Sequence, residues 1–109
     1  MSVTDTASNS EPLTKWQVYM IYCSDASYYT GISTDVRKRF AQHANQLGAK
    51  YFRGRRPERL VYLELGHSRS SASKRERSIK NLPRPQKIAL LSAETNQLQA
   101  YAWDQDLGS

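Results

Sequence analysis

Sulfur is scarce in this sequence: among 109 residues there is one cysteine, Cys23. A disulfide within the chain and a metal cluster held by several thiolates are therefore both excluded. Cys23 stands among β-branched and aromatic residues, a position typical of a core residue in a protein of a reducing compartment.

Long apolar runs are also missing. No stretch approaches the roughly 20 apolar residues that a membrane helix needs, and residues 1–14 have neither the apolar run nor the basic start of a signal peptide. We therefore expect a cytoplasmic protein that has no membrane partner. The sequence also has no Walker loop, no dinucleotide-binding glycine pattern and no internal repeat.

The chain has room for one domain. Residues 1–14, dense in Ser, Thr and Asn, predict a disordered segment. Residues 15–92 carry the apolar patterns and form the expected domain. Residues 93–109 contain three acidic residues and no basic one, so they are interpreted as an acidic tail.

Acidic residues are few where basic residues are many. All sixteen Lys and Arg lie between Lys15 and Lys87, whereas only five of the ten acidic residues do, which gives that segment a net charge of +11. Such a field over one small domain favours polyanions, of which nucleic acid is the commonest. The alternative, a basic surface that merely keeps the protein soluble, stays open.

The first apolar segment predicts a β-hairpin. Residues 16–23 are rich in the β-branched and aromatic residues that favour strands, residues 24–27 supply turn chemistry, and residues 28–32 predict a short return strand. Asp35 then stands before an apolar repeat of three to four residues that extends to Leu47, which predicts a capped amphipathic helix.

The second half predicts one strand and two helices. Residues 59–65 predict a third strand, buried on both sides over part of its length. Residues 70–82 predict a helix capped by Ser70 or Ser71, and Pro83 and Pro85 separate it from a short helix over residues 86–91. The predicted fold class is α/β (α+β), a small three-stranded antiparallel sheet flanked by helices.

One carboxylate is predicted to face the core. With about 100° of rotation per residue, Glu76 falls about 40° from Ala72 on the inward face of its helix. A buried carboxylate must be paired or bound to a cation, so Glu76 indicates either an ion pair, with Arg39 or a neighbour, or a metal ligand. Arg39 and His43 lie on the apolar side of the preceding helix by the same projection, so the three polar groups are expected to converge.

Basic and aromatic residues alternate in the loop after that helix. Cations beside aromatic rings suit a phosphate backbone with bases stacked against it. The alternative, in which Tyr51 and Phe52 pack into the core beneath a solvated charge run, is compatible with the first. The predicted nucleic-acid-binding residues are Lys50, Arg53, Arg55 and Arg56, together with Lys80 on the later helix.

Four groups of residues, in this order, resemble the GIY-YIG nuclease family. The two tripeptides that name the family correspond to residues 17–19 and 29–31, although Gln17 and Val18 stand where many members have glycine and isoleucine. An arginine and a histidine on the next helix match Arg39 and His43. Residues 48–57 are similar to a loop of the small stand-alone bacterial members, and residues 75–80 to their metal-binding helix. The resemblance covers residues 16–92.

Phosphodiester cleavage needs a deprotonated nucleophile and stabilisation of the charge that develops on the phosphate. Glu76 is a hard oxygen ligand suited to one Mg²⁺ or Mn²⁺ ion, and Arg39 can hold the phosphate bidentately. The resemblance implies that Tyr19 is the general base, with Tyr29 beside it. His43 is the competing base because its reference pKa lies near neutrality.

The resemblance therefore implies a metal-dependent endonuclease that acts on DNA. Because small members of the family borrow specificity from other domains, we expect a protein partner that supplies it, and a monomer or weak dimer. The alternative is a nucleic-acid-binding module with the nuclease fold and no useful turnover. The sequence does not distinguish DNA from RNA, or single-stranded from duplex or branched substrates.

Overall fold

The computed structural model describes residues 14–45 and 52–101. Most of the predicted disordered segment, Lys50, Tyr51 and the last eight residues lie outside the described part. The elements, in chain order, are β1 (Trp16–Cys23), β2 (Tyr28–Ser33), α1 (Val36–Ala44), β3 (Pro57–His67), α2 (Arg69–Lys80), α3 (Arg84–Leu90) and a 3₁₀ turn (Gln99–Tyr101). The predicted fold class is confirmed. None of the helices within the described ranges is long and apolar enough to cross a membrane.

The three strands form one antiparallel sheet in the order β2-β1-β3. β1 is therefore the middle strand, and Tyr19 lies opposite Gly31 on β2 and Leu63 on β3. Four consecutive residues at the centre of β1, Val18 to Ile21, are buried. Because side chains alternate along a strand, β1 supplies a core to each face of the sheet.

The two faces carry separate apolar clusters. On one face, Tyr19 and Ile21 pack with Val36 of α1 and with Phe52. On the other face, Val18 and Met20 pack with Tyr62 and with two residues of α2. The residues of α2 in this second cluster are Ala72 and Ile79. The sheet is thus covered by α1 on one face and by α2 on the other. Both helices pack against the central strand, β1.

α1 begins where predicted, and a residue of β1 fixes its start. Asp35 accepts a hydrogen bond from the backbone N–H of Lys38 at 3.2 Å. The side-chain oxygen of Gln17 accepts a second one, from the N–H of Val36, at 2.9 Å. The glutamine that replaces the glycine typical of the first tripeptide therefore satisfies a donor at the helix N-terminus that would otherwise be buried without a partner.

β1 has its predicted bounds, and most of the other boundaries differ from the predicted ones by one to three residues. α2 is capped by Ser68, not Ser70 or Ser71, because the Ser68 and Ser71 hydroxyls each accept the other's backbone N–H. α3 begins at Arg84, two residues before the predicted start, because a proline is compatible with the first turn of a helix. β3 continues past Leu65 because Gly66 adopts a positive φ of 77° at an irregularity in the β1–β3 register.

The segment after α3 covers the outer edge of β3. The amide oxygen of Asn96 accepts from the N–H of Leu63 at 3.1 Å, and its amide nitrogen donates to the carbonyl of Val61 at 3.0 Å. Gln97 accepts from the N–H of Leu65 at 2.8 Å and donates its own N–H to the carbonyl of Leu63 at 2.7 Å. These four bonds take the place of a further strand, so β3 is not left with an open edge there.

We predict that Asn96→Ala destabilises the domain, because it leaves the N–H of Leu63 and the carbonyl of Val61 without partners. The expected loss is about 1–3 kcal/mol of unfolding free energy, measured by urea denaturation. Gln99→Ala, at an exposed position three residues further on, is the matched control and should leave the midpoint unchanged. Equal midpoints for the two variants would show that the tail does not stabilise β3.

Candidate active site

Tyr19 is the centre of the polar cluster. Its side chain comes from the middle strand and is 1% exposed. Its hydroxyl is hydrogen-bonded to Nε2 of His43 at 3.0 Å. Arg39 and Tyr29 also hydrogen-bond to Tyr19. Three of the predicted site residues therefore converge on the hydroxyl of a fourth.

Gly31 makes this arrangement possible. A Cβ atom at Gly31 would lie 2.6 Å from the Tyr19 hydroxyl oxygen and 2.7 Å from the ring carbon that carries it. The glycine of the second tripeptide is therefore needed for close approach and not for an unusual backbone angle. Any side chain there would move the hydroxyl that the cluster shares.

The imidazole ring of His43 is buried against aromatic rings. It is 0% exposed, its ring centroid lies 4.4 Å from that of Phe52 and 5.2 Å from that of Tyr29, and its Nδ1 has no hydrogen-bond partner within the described residues. Burial, with a smaller contribution from the charge of Arg39, lowers the pKa of His43 to about 4. His43 is therefore neutral at neutral pH.

The two tyrosines are neutral as well. Burial raises the pKa of Tyr19 well above its usual value, and the neighbouring Tyr29 raises it further, while the charge and the hydrogen bond of Arg39 oppose both effects. Burial likewise raises the pKa of Tyr29, and Arg39 opposes it. Arg39 alone does not produce a phenolate, so the hydroxyl of Tyr19 keeps its proton in this arrangement.

Glu76 borders the cluster from α2. Its negative charge contributes to the raised pKa of both Tyr19 and Tyr29, which places it in electrostatic range of each. Its side chain is 23% exposed, and Lys80, one turn further along α2, lies 3.2 Å from one carboxylate oxygen. Glu76 is thus half-buried and paired with a lysine of its own helix, while Arg39 donates to Gln42 at 2.9 Å.

The side chains at this site suit a divalent cation that needs few protein ligands. Within residues 14–45 and 52–101, no three His, Cys, Asp or Glu side chains are grouped closely enough to hold a metal ion together. Glu76 would have to hold the ion with water and substrate oxygens. Mg²⁺ tolerates this arrangement because it keeps several water ligands and commonly binds through one or two carboxylates and a phosphate.

The basic loop lies at the turn between β1 and β2. Phe52 is a core residue, whereas Arg53 and Arg56 are exposed. The backbone of Arg56 exchanges hydrogen bonds with Ser24, and Arg55 pairs with Asp25 at 2.9 Å. These contacts anchor the loop to the hairpin, and Phe52 connects it to the ring of His43.

A buried polar cluster on the α2 face was not predicted from the sequence. The carboxylate of Glu64 on β3 is hydrogen-bonded by Nε of Arg75 and by Nε2 of His67, both at 2.8 Å, and by the hydroxyl of Tyr62. Burial raises the pKa of Glu64, but these bonds together hold it below its usual range. The available signal was the position of Glu64 inside a strand predicted to be buried on both sides.

The Glu64 cluster ties β3 to the helix that carries Glu76. Arg75, its member on α2, directly precedes Glu76. A buried carboxylate that loses one of its partners is costly, so the cluster restricts where this turn of α2 can sit. It therefore belongs to the support of the candidate site.

This fold and cluster define a small α+β domain of the GIY-YIG type. The model of the GIY-YIG catalytic domain matches residues 15–89. The chain therefore belongs to the GIY-YIG family, as its four groups of motif residues indicated.

Its relatives include proteins of both archaea and bacteria. The UPF0213 protein of Halobacterium salinarum is 53% identical over 73 residues, which is 67% of this chain and 95% of the relative. That of Staphylococcus saprophyticus is 45% identical over 78 residues, 72% of this chain and 95% of the relative. The solution NMR structure of the UPF0213 protein of Bacillus halodurans is 39% identical, covers 80% of this chain and 93% of that one, and has a TM-score of 0.49.

We predict that His43 makes the stability of the domain depend on pH. In the unfolded chain His43 has a pKa near 6.5, whereas in the folded protein its pKa is about 4. Stability should therefore fall as the pH is lowered through this range, by up to about 3 kcal/mol from this residue. Urea denaturation between pH 7 and pH 4.5 measures it.

His43→Gln is the comparison, because it removes the titrating group and keeps a polar side chain. Its stability should decline less steeply with falling pH than that of the parent. Parallel curves for the two proteins would mean that His43 titrates equally in the folded and unfolded states.

Proposed function

We propose that this chain is a metal-dependent endonuclease that hydrolyses phosphodiester bonds in DNA. The observation that carries the proposal is the hydroxyl of Tyr19, a buried group that is shared by a neutral histidine, an arginine and a second tyrosine. The carboxylate of Glu76 lies in electrostatic range of that hydroxyl. A core that needed only stability would not gather so many polar groups, since burying them costs free energy.

Arg39 is the residue that binds the phosphate at this site. Its guanidinium, which has five N–H donors, is hydrogen-bonded to Tyr19 and donates through Nη1 to the side chain of Gln42. A planar guanidinium can exchange a neutral acceptor for two phosphate oxygens and stabilise the charge that develops on them.

Glu76 holds the divalent cation in this proposal, with Mg²⁺ or Mn²⁺ as the candidate ion. When bound, such an ion stabilises the phosphate charge and makes water a stronger nucleophile. Lys80 must move away from the Glu76 carboxylate for this, and as an exposed side chain at the end of α2 it is free to turn toward a phosphate.

Tyr19 and His43 act in series and not as alternatives. Tyr19 accepts a proton from the attacking water while its own hydroxyl proton passes to Nε2 of His43, 3.0 Å away. The lowered pKa keeps the imidazole of His43 neutral, so a ring nitrogen has a lone pair for this proton, although the same shift makes it a weaker base than a free imidazole. This route does not require a standing phenolate, which burial of Tyr19 disfavours.

A second candidate function is supported by a specific observation. Tyr19 and Tyr29 both have raised pKa values, and Glu76 is already paired with Lys80. These features would suit a nucleic-acid-binding module that kept the fold and lost turnover. Incubation with single-stranded, duplex and branched DNA and with RNA, with and without Mg²⁺ or Mn²⁺, separates the candidates, because only the nuclease cuts.

We predict that Glu76→Gln removes cleavage and leaves folding and nucleic-acid binding nearly intact. Loss of the cation should cost several kcal/mol of barrier, and hence a factor of at least ~10³ in rate. Glu58→Gln, which neutralises an exposed acid at the start of β3, is the matched control. Parental cleavage by Glu76→Gln would overturn the metal assignment.

We predict that Tyr19→Phe lowers turnover by a factor of ~10² to 10⁴, because it keeps the ring and removes the hydroxyl. Tyr22→Phe, a change on the same strand at a ring that packs at a tilt against Tyr28, should have no effect. If Tyr19 and His43 act in series, adding His43→Ala to Tyr19→Phe should cost little more than either change alone. Independent, multiplying losses would contradict the relay.

A further inference from the structure

A cavity borders the candidate site at the outer edge of β2. It has a volume of about 290 Å³ and is lined by Tyr28, Tyr29, Thr30, Lys80 and Lys87. Two of these residues connect it to the site: Tyr29 is hydrogen-bonded to Tyr19, and Lys80 is paired with Glu76. The cavity therefore adjoins the reacting centre without containing it.

Thr30 carries an unexplained polar group. The residue is 2% exposed, and its hydroxyl is buried with no hydrogen-bond partner in the described part of the chain. A buried polar atom without a partner costs about 1–3 kcal/mol, and valine would fit the same strand position without this cost. The hydroxyl is therefore expected to have a partner beyond the residues that the structure describes, such as a bound ligand.

The surroundings of the cavity are positively charged. Lys80 and Lys87 form part of its wall, and the guanidinium of Arg84 lies over the ring of Tyr28, 5.1 Å from its centroid. Among these cations, Lys80 is paired with an acid: its Nζ lies 3.2 Å from a carboxylate oxygen of Glu76. Lys87 is half-buried on α3, so part of its aliphatic stem is covered while its ammonium can reach an anion in the cavity.

We propose that this cavity binds a backbone phosphate of the nucleic acid, next to the phosphate that is cut. Phosphate oxygens accept from a threonine hydroxyl and from lysine ammonium groups, so one ligand satisfies Thr30 and Lys87 together. That the ligand is a nucleic-acid strand rests on the proposed function, whereas the affinity of the cavity for phosphate does not.

Occupation of the cavity has a consequence for Glu76. A phosphate there competes with the Glu76 carboxylate for the ammonium of Lys80. Substrate binding would then free the carboxylate that the cation needs, which couples binding of the strand to completion of the site.

The test measures binding without cleavage. A fluorescently labelled single-stranded DNA 12-mer is titrated with the protein in chelator, over a range of salt concentrations. Lys87→Gln should weaken binding about tenfold and reduce the slope of log affinity against log salt by about one unit. Lys74→Gln removes an exposed lysine of α2 that is not part of the cavity wall, so it should have a smaller effect.

Thr30→Val tests the hydroxyl apart from the charge. It should weaken binding without changing the salt slope, and thermal stability should be equal or higher, because the variant no longer buries an unpaired polar group. Equal affinities for the parent, Thr30→Val and Lys74→Gln, with Lys87→Gln no weaker than Lys74→Gln, would overturn the proposal.

A titration with inorganic phosphate against equal ionic strength of chloride, followed by amide NMR shifts, identifies the ligand chemistry. Phosphate-specific shifts at Thr30 and Lys87 support the cavity, and their absence counts against it. Because none of these measurements requires turnover, a protein that binds in this way and does not cut would reject the nuclease and retain the phosphate site. A protein that cuts but shows none of these effects would retain the nuclease and reject the phosphate site.

Discussion

The hydrogen bond between the Tyr19 hydroxyl and Nε2 of His43 joins the middle strand of the sheet to α1, deep in the core. The rest of this face depends on it. Gly31 has no side chain because the Tyr19 ring lies against its backbone, and Phe52 closes the core beside the imidazole. Gln17 sets the other end of α1, through the N–H of Val36. Two residues of β1 thus fix the helix that presents Arg39.

Burial decides the charge state of this site. Because both partners of the central hydrogen bond are removed from water, each favours its neutral form: the pKa of His43 is lowered and that of Tyr19 is raised. The formal charges, on Arg39 and Glu76, lie where water and a substrate can reach them. A neutral hydrogen bond in the interior with charges at its border suits the proton transfer proposed above, since neither Tyr19 nor His43 carries a charge at rest.

On the α2 face of the sheet, a charged group is buried and stabilised by hydrogen bonds. Glu64 is a buried carboxylate, and it is stable there because Arg75, His67 and Tyr62 all bond to it. The Tyr62 hydroxyl, whose one proton goes to Glu64, also accepts from the hydroxyl of Thr95 at 2.8 Å, so the cluster reaches the segment that covers β3. The tail, the edge strand and the helix that carries Glu76 are therefore parts of one hydrogen-bonded unit.

Much of this could be predicted from local pattern. The strands, the helix after Asp35 and the pairing of the hairpin follow from side-chain periodicity and turn residues, which act over a few positions. Helix ends were less accurate because serines at three nearby positions, Ser68, Ser70 and Ser71, can each cap a helix, and only the reciprocal bonds of Ser68 and Ser71 select one. The predicted third strand ended at Leu65, whereas β3 continues through Gly66 at an irregularity in its register, because a glycine suits a turn and a bulge alike.

The sequence by itself determined the element order, the charge of the central segment and the family, since motif residues and their spacing are linear properties. Only the tertiary structure decided that β1 is the middle strand, that Glu76 pairs with Lys80 and that Asn96 caps the edge of β3. The strand order and the contacts of Asn96 join residues that are distant in the chain, whereas Glu76 and Lys80 are one helical turn apart and the sequence left Arg39 open as the partner. The tertiary structure also decided the protonation of His43 and Tyr19, because a pKa shift is set by how much water and charge surround a group, and a residue's place in the sequence does not specify either.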